Sequence, residues 1–318
     1  MSNKRYGGHS MVAPLRRVLI CPPRRAGWDN PDRARQWREL CYLHELDIHA
    51  AQAQHDAMRS ELEAAGAEVL ALPEVSGFSL DAVYCHDASF STDNGVVALR
   101  MGKPARSAEP GKHAEFLAAR SVPLLGEIQE PGTVEGGDLV WLDQSTILAG
   151  RGYRTNSAGI DQLRGLLAID GIEVIAAPLP HGPGPAGCLH LMSLISMLDD
   201  RLALADLELL AVETVELLCG RGSQFIEIDP AERATLACNV LALGNRRLLA
   251  LEENRRTNQR LRDAGFDVRT FPGSEIAING GGGPTCLTRP LLRLEDGNRL
   301  RSRNADGDSE VRRPTSAL

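Results

Sequence analysis

The 318-residue sequence reads as an α/β protein assembled from five similar modules that close into a ring. Two observations lead there. A helix-then-strand plan recurs along the chain, and short apolar runs of strand length fill the intervals between its copies. The runs begin with "RRVLICP" near the N-terminus. The first clear copy of the plan is "HDAMRSELEAAGAEVLALPEV" (55–75), an amphipathic helix, a glycine stop and an apolar strand. "AVYC" and "GVVALRM" come next as strands, followed by a weaker copy, "EFLAARSVPLLGE" (115–127). "DLVWL" and "TILAG" lead into the second strong copy, "RTNSAGIDQLRGLLAIDGIEVIAAPLP" (154–180). "LHLMSLISML" and "RLALA" precede another weak copy, "VELLCGRGSQFIEI" (215–228). "CNVLALG" and "RLLALE" lead into the last, "RTNQRLRDAGFDVRTFPGSE" (256–275).

In the strong copies Gly66, Gly171 and Gly265 fall just past the last periodic residue, where a left-handed residue ends a helix without a Cβ penalty. A doubly wound Rossmann sheet is the competing architecture. It wants G-x-G-x-x-G after the first strand, and "CPPRRAG" stands there instead. A ring of modules leaves a central channel where inner loops meet, a natural place for a site. The expected organisation is one catalytic domain over 1–292 and a polar, frayed tail over 293–318.

Composition narrows the function classes. Hydrophobic content of 43% and charged content of 24% are ordinary for a globular protein, and a net charge of −7 gives no general attraction to nucleic acid or anionic membranes. No run approaches the roughly 20 apolar residues of a membrane span, and the N-terminus lacks an apolar signal core. Seven cysteines at irregular spacing fit a reducing cytoplasm better than a disulfide framework. There is no CxxC, HxH or HExxH, so no metal site is expected. His44, His49 and His55 share no helix face well and read as a solvated helix surface.

The residues able to do chemistry lie in loops. Cys286 follows four glycines and a proline in "GGGGPTC"; it is either a nucleophile that backbone can approach closely or a small buried hydrophobe. His190, inside an apolar strand-like run, needs a reason to be there, which makes it the candidate base ahead of His86 and His181. Glu135 and Asp138 flank two glycines before a strand, either as a plain turn or as an acid held in a close-approach loop. Asp87, beside His86 at a strand end, is a second anionic candidate. Arg106 and Arg154 have the fork geometry to clamp a carboxylate, although the R-T-N triplet at Arg154 recurs at Arg256, where Thr caps a helix.

Taken in order, "SMVAPLRRVLI", "VYCHDASF", "RMGKPARSAE", "GTVEGGDLVWL", "GRGYRTN", "LHLMSLIS", "CNVLALG" and "GGGGPTCLTRPL" resemble the guanidine-modifying (amidinotransferase) superfamily. Within it they resemble the bacterial dimethylarginine dimethylaminohydrolase-like (dimethylargininase) proteins. The resemblance spans roughly residues 10–292 and implies the pentein fold, a five-bladed α/β propeller of ββαβ modules. By position it implies Cys286 as nucleophile, His190 as general acid/base and Glu135 as the acid that orients it. It also implies Asp87 as the guanidinium-binding carboxylate, with Arg106 and Arg154 on the substrate's α-carboxylate.

The implied activity is hydrolysis of methylated arginine to citrulline and a methylamine through a thiouronium on Cys286. It needs no metal or organic cofactor and no partner beyond a small guanidino molecule, and it is compatible with a homo-oligomer. Two departures matter. The H-x-D of arginine deiminases is His190-Leu191-Met192, favouring the dimethylargininase branch; and His86 stands where that branch often carries Glu. An amidinotransferase, or a hydrolase of arginine or an ω-guanidino acid, uses the same residues; a non-enzymatic, ribosome-binding pentein would have no use for them.

Overall fold

The computed structural model describes residues 4–74, 77–185 and 187–294. Four consecutive modules follow one plan, in which two antiparallel strands form a hairpin and a helix carries the chain back to a third strand parallel to the second. They are β3 (Ser89–Thr92), β4 (Gly95–Ala98) and β5 (Leu124–Glu127); β6 (Leu139–Asp143), β7 (Thr146–Arg151) and β8 (Glu173–Pro178); β9 (Ile195–Asp199), β10 (Leu202–Ala205) and β11 (Gln224–Glu227); and β12 (Leu241–Gly244), β13 (Arg247–Leu251) and β14 (Asp267–Phe271). The fifth is made from both ends of the chain. β1 (Leu15–Ile20) pairs in parallel with β2 (Glu68–Ala71) and antiparallel with β15 (Thr288–Arg293), Ile20 facing Thr288. The result is a five-bladed α/β propeller of three-stranded sheets, closed by its own C-terminal strand.

The crossover helices are α2 (Ile48–Ala64), α3 (Glu109–Ala118), α4 (Ser157–Leu167), α5 (Val212–Gly220) and α6 (Arg255–Asp263); a single turn, α1 (Pro31–Ala34), precedes them. Gly66, Gly171 and Gly265 take φ of 91°, 66° and 84° at the ends of their segments, as the helix-stop reading requires. The hairpin strands are the most deeply buried and the parallel third strands are partly exposed, so the hydrophobic core is divided among the seams between blades. One cluster joins Val97 and Leu99 to Ile147 and Leu163, another Val140 and Leu148 to Ile195 and Ala203. The largest joins β1 and α2 to Leu249 and Phe271 of the neighbouring blade. Rigid seams of this kind hold the inner loops in fixed relation. Among the described residues no helix is long and apolar enough to cross a membrane.

Several local readings change. His190 is not within a strand: it has extended dihedrals at the head of a 3-10 turn, Leu191–Ser193, and the strand begins only at Ile195. "AVYC" likewise straddles the end of a 3-10 turn, Leu80–Val83, and no strand leads directly into His86. In both places the apolar side chains are buried within a loop, and periodicity alone cannot separate that from a strand. His55 is buried on the core side of α2 and held neutral, its pKa lowered by burial to about 4, so it is not a surface histidine. The R-T-N triplets are not equivalent, since Asn156 caps α4 while Thr257 and Asn258 lie inside α6. Arg293, assigned to the tail, is the buried last residue of β15; from 295 onward the tail lies outside the described residues.

Candidate active site

Each blade contributes one polar group from the loop entering its first strand. Asp87 precedes β3, Glu135 precedes β6, His190 precedes β9, Asn239 precedes β12 and Cys286 precedes β15, each by two to five residues. The pseudo-symmetry therefore delivers five loops to one end of the ring axis, and hydrogen bonds join them there.

Glu135 is fully buried. Its Oε2 lies 2.8 Å from His190 Nε2, while its Oε1 accepts from the backbone N–H of Gly102 (2.9 Å) and Lys103 (3.2 Å). Burial pushes the carboxyl up, but the His190 hydrogen bond and charge outweigh it, and the net shift is downward. His190 is raised well above the usual histidine range: burial opposes its charge, and Cys188, Asp87 and Asp138 more than restore it. With Nε2 on Glu135, the opposite nitrogen, Nδ1, lies 3.8 Å from Asp87 Oδ1 and is the one left to serve a substrate. The backbone makes this approach possible. A Cβ on Gly137 would collide with His190 Nδ1 and with Asp87, so the Glu-Gly-Gly-Asp sequence is a close-approach device and not only a turn.

Asp87 accepts from Gly137 N–H at 2.9 Å and from Arg106 Nη1 at 2.7 Å. Burial raises its pKa, and the charges of His190 and Arg106 bring it far below the usual carboxylate range. Arg106 is itself buried and committed: two nitrogens bind the carboxylate of Glu109 at 3.0 and 2.8 Å, and Nη2 also donates to Tyr84 O. Here it holds Asp87 rather than presenting a free fork to a substrate carboxylate. Arg154 Nη1 stands 3.6 Å from Glu135 Oε1, and its Nη2 donates to Gly187 O at 3.0 Å.

Cys286 is half-buried, and Asn239 Nδ2 donates to its Sγ at 3.0 Å. The same Asn239 accepts the Thr285 N–H through Oδ1, so one side chain grips both the loop and the sulfur. Burial first, then Asp87, pushes the thiol up to about 12, against the opposing pull of His190 and Asn239. The glycine run packs beneath aromatic rings; a Cβ on Gly282 would strike Tyr84.

Three further neighbours belong to the site; Asn239 and Cys188 were not anticipated, and Asp138 was a candidate only alongside Glu135. Besides Asn239, Asp138 Oδ1 accepts the Leu191 N–H at 2.9 Å, fixing the turn that carries His190, and burial raises its pKa to about 6. The third, Cys188, is an exposed thiol whose sulfur lies 3.6 and 3.8 Å from the two nitrogens of His190.

Asp87, Glu135 and His190 place one donor atom each within 4.8 Å of one another, the spacing of a cation site. Asp87, which accepts from Gly137 N–H and Arg106 Nη1, is the most strongly held anion of the three.

A family model described as N,N dimethylarginine dimethylhydrolase, eukaryotic, matches residues 38–293. The chain belongs to that dimethylargininase family. The N(G),N(G)-dimethylarginine dimethylaminohydrolase of Streptomyces coelicolor is 30% identical over 256 residues, covering 79% of this chain and 90% of that protein. Among solved structures, a mutant dimethylarginine dimethylaminohydrolase from Pseudomonas aeruginosa complexed with citrulline superposes with a TM-score of 0.71 at 24% identity, covering 88% of this chain and 100% of the other. The amidinotransferase SxtG from Microseira wollei superposes with a TM-score of 0.74 at 17% identity, covering 92% and 98%. The fold is thus shared with that amidinotransferase. His86, where the branch often carries an acid, donates through Nδ1 to Thr288 O (2.7 Å), and its ring lines cavities on the propeller axis.

Proposed function

We propose that this protein is a cysteine-dependent hydrolase that converts a methylated arginine and water to citrulline and the corresponding methylamine. Membership of the dimethylargininase family gives the reaction class, cleavage of a guanidino C–N bond. The observation that carries the residue roles is the Glu135–His190–Asp87 chain of contacts with Cys286 on the neighbouring inner loop.

A guanidinium ion spreads its charge over three nitrogens and is a poor electrophile. Asp87, locked as an anion by Arg106 and Gly137, binds its N–H groups and fixes the planar cation with its central carbon toward Cys286. The thiol, pushed up to about 12 in the free protein, is lowered by the arriving positive charge, so the nucleophile ionises in the presence of substrate. Sulfur adds to the guanidinium carbon. His190, kept protonated over Glu135, gives its Nδ1 proton to the departing amine, leaving a thiouronium on Cys286. The same nitrogen then takes a proton from water as the water attacks, and the urea of citrulline leaves with the thiolate restored.

Met192 occupies the position where an H-x-D site has its second acid, and it is buried with Leu191 in the apolar seam between blades. Asp87 therefore binds the guanidinium without an acid from that position, which leaves the other side open to methyl groups. Arg154, buried beside Glu135, supports the substrate's α-carboxylate, while Arg106 serves Asp87. All seven thiols are free, which supports a reducing, cytoplasmic setting.

The test is a screen of mono- and dimethylated arginines, arginine and ω-guanidino acids. Urea-type product and released amine are read out, with Cys286→Ser as control. Turnover of methylated arginines that disappears in the variant is expected. Equal turnover in the variant removes the nucleophile, and a preference for unmethylated arginine removes the substrate.

A further inference from the structure

Beneath the catalytic loops the axis of the propeller holds cationic groups that the reaction does not use. Arg289 and Arg293, both on β15, are about 96% and 97% buried. Neither has a carboxylate within ion-pair distance among the described residues. Arg289 gives Nε and Nη2 to the backbone oxygen of His86, and Arg293 gives Nη1 to the oxygen of Ala13, all neutral acceptors. Among the described residues Arg293 Nη2 has no hydrogen-bond partner.

These two guanidinium groups line a cavity of about 30 Å³ together with His86, Ser10 and Ser91, and the Ser91 hydroxyl is also unpartnered. A smaller cavity of about 20 Å³ continues past His86 and Arg293 toward Thr285, next to the nucleophile. A single water needs about 10–15 Å³, so each has room for one small guest. On the other side Arg293, Ser10 and Met11 also border an open cavity of about 810 Å³ on the far face, which gives an entry path. Three carboxylates on that rim are paired: Asp93 with Lys4, Asp143 with Arg221 and Asp199 with Arg246.

We propose that the axial cavity walled by Arg289, Arg293 and Ser91 is a binding site for a halide-sized anion, with chloride as the physiological ligand. Buried charges in proteins are paired, and here two like charges share one small space with a free N–H and a free O–H directed into it. The nearest acid charge, Asp87, is already shared by Arg106 and His190. Burial lowers the pKa of Arg289 to about 10, with Cys85 and Asp87 only partly opposing it, and that of Arg293 to about 9, where the charge of Arg289 adds to the effect. A water is the competing occupant. It would satisfy Arg293 Nη2 and the His86 Nε2 lone pair but would leave the charge uncompensated. The small space between these donors suits a monatomic anion.

The experiment is thermal unfolding of the full chain at constant ionic strength, exchanging gluconate for chloride, alongside Arg293→Met and Ser91→Ala. Crystals of the unmodified protein grown in bromide complete the set. A saturable rise in Tm on the order of 5 °C is expected for the unmodified protein. It should be absent in Arg293→Met and reduced in Ser91→Ala, with an anomalous peak beside Arg293 Nη2. A Tm indifferent to the exchange, an equal rise in Arg293→Met, or bromide crystals with only water in the cavity would each overturn the proposal. Should Arg293→Met not fold, the anomalous map decides alone.

Discussion

Replacing Asn239 tests the construction of the nucleophile. Its Nδ2–H reaches Cys286 Sγ at 3.0 Å, and its Oδ1 holds the Thr285 N–H, also at 3.0 Å. A neutral donor to a charged acceptor contributes about 1.5–3 kcal/mol. At about 1.4 kcal/mol per unit, Asn239→Ala raises the thiol pKa by about one to two units and lowers kcat/KM by about 10- to 150-fold. The thiol already ionises near 12, so its midpoint is out of reach. The accessible measurement is the rate of iodoacetamide alkylation at a fixed pH near 8, which should fall by the same factor as kcat/KM. Asn239→Asp separates the two grips, because its carboxylate still accepts from Thr285 N–H but cannot donate to sulfur and repels the thiolate. It should be at least as impaired as the alanine variant. If Asn239→Asp restores alkylation and turnover, the side chain only holds the loop and the reasoning fails. Unchanged alkylation in both variants would fail it as well.

Other outcomes follow from the same contacts. His190→Gly should form the thiouronium only from an activated analogue whose leaving group departs without a proton, and should then hold it, seen as a persistent mass increase on Cys286; release of that adduct, or turnover of methylated arginine, at the unmodified rate would remove His190 from the chemistry. Asp138→Asn keeps an acceptor for Leu191 N–H and removes a buried acid whose pKa is raised to about 6. A raised acid binds its proton more tightly when folded, so it lowers stability as pH climbs from about 4 to about 6 and keeps that cost above. The variant should therefore gain on the unmodified protein by about 2–3 kcal/mol between pH 4 and pH 8 in urea unfolding, and a constant gap would contradict the shift. Arg154→Ala should raise KM for amino-acid substrates while sparing guanidines that lack a carboxylate; equal effects on both would leave Arg154 as a support for Glu135 alone.

The ring was legible because its evidence is redundant. Five copies of one helix-then-strand plan remain visible even when two are weak, and Gly66, Gly171 and Gly265 mark segment ends by a backbone demand that few other residues meet. What was misread was local. His190 and "AVYC" sit in buried turns, where apolar side chains face inward without the hydrogen bonds of a sheet. Arg106 shows the limit of type-based reasoning. Its fork was a reasonable carboxylate clamp on paper, but Glu109, one turn of helix later, already fills that fork, and an i, i+3 pair only becomes informative once its burial is known.

Asn239 was missed for a different reason, and the symmetry explains how it is found. In a ring of equivalent modules, the residue entering the first strand of each blade occupies the same place relative to the axis. Asp87, Glu135, His190 and Cys286 occupy four of these places and Asn239 the fifth. An amide carries no charge and draws no attention in a search for acids, bases and nucleophiles. Once four entrances of a five-fold ring hold reactive groups, however, the fifth faces the same small volume and must either be apolar and inert or be bonded to one of the others. Asn239 is bonded to the sulfur, so the repeat that set the fold also determines where each functional group of the site sits.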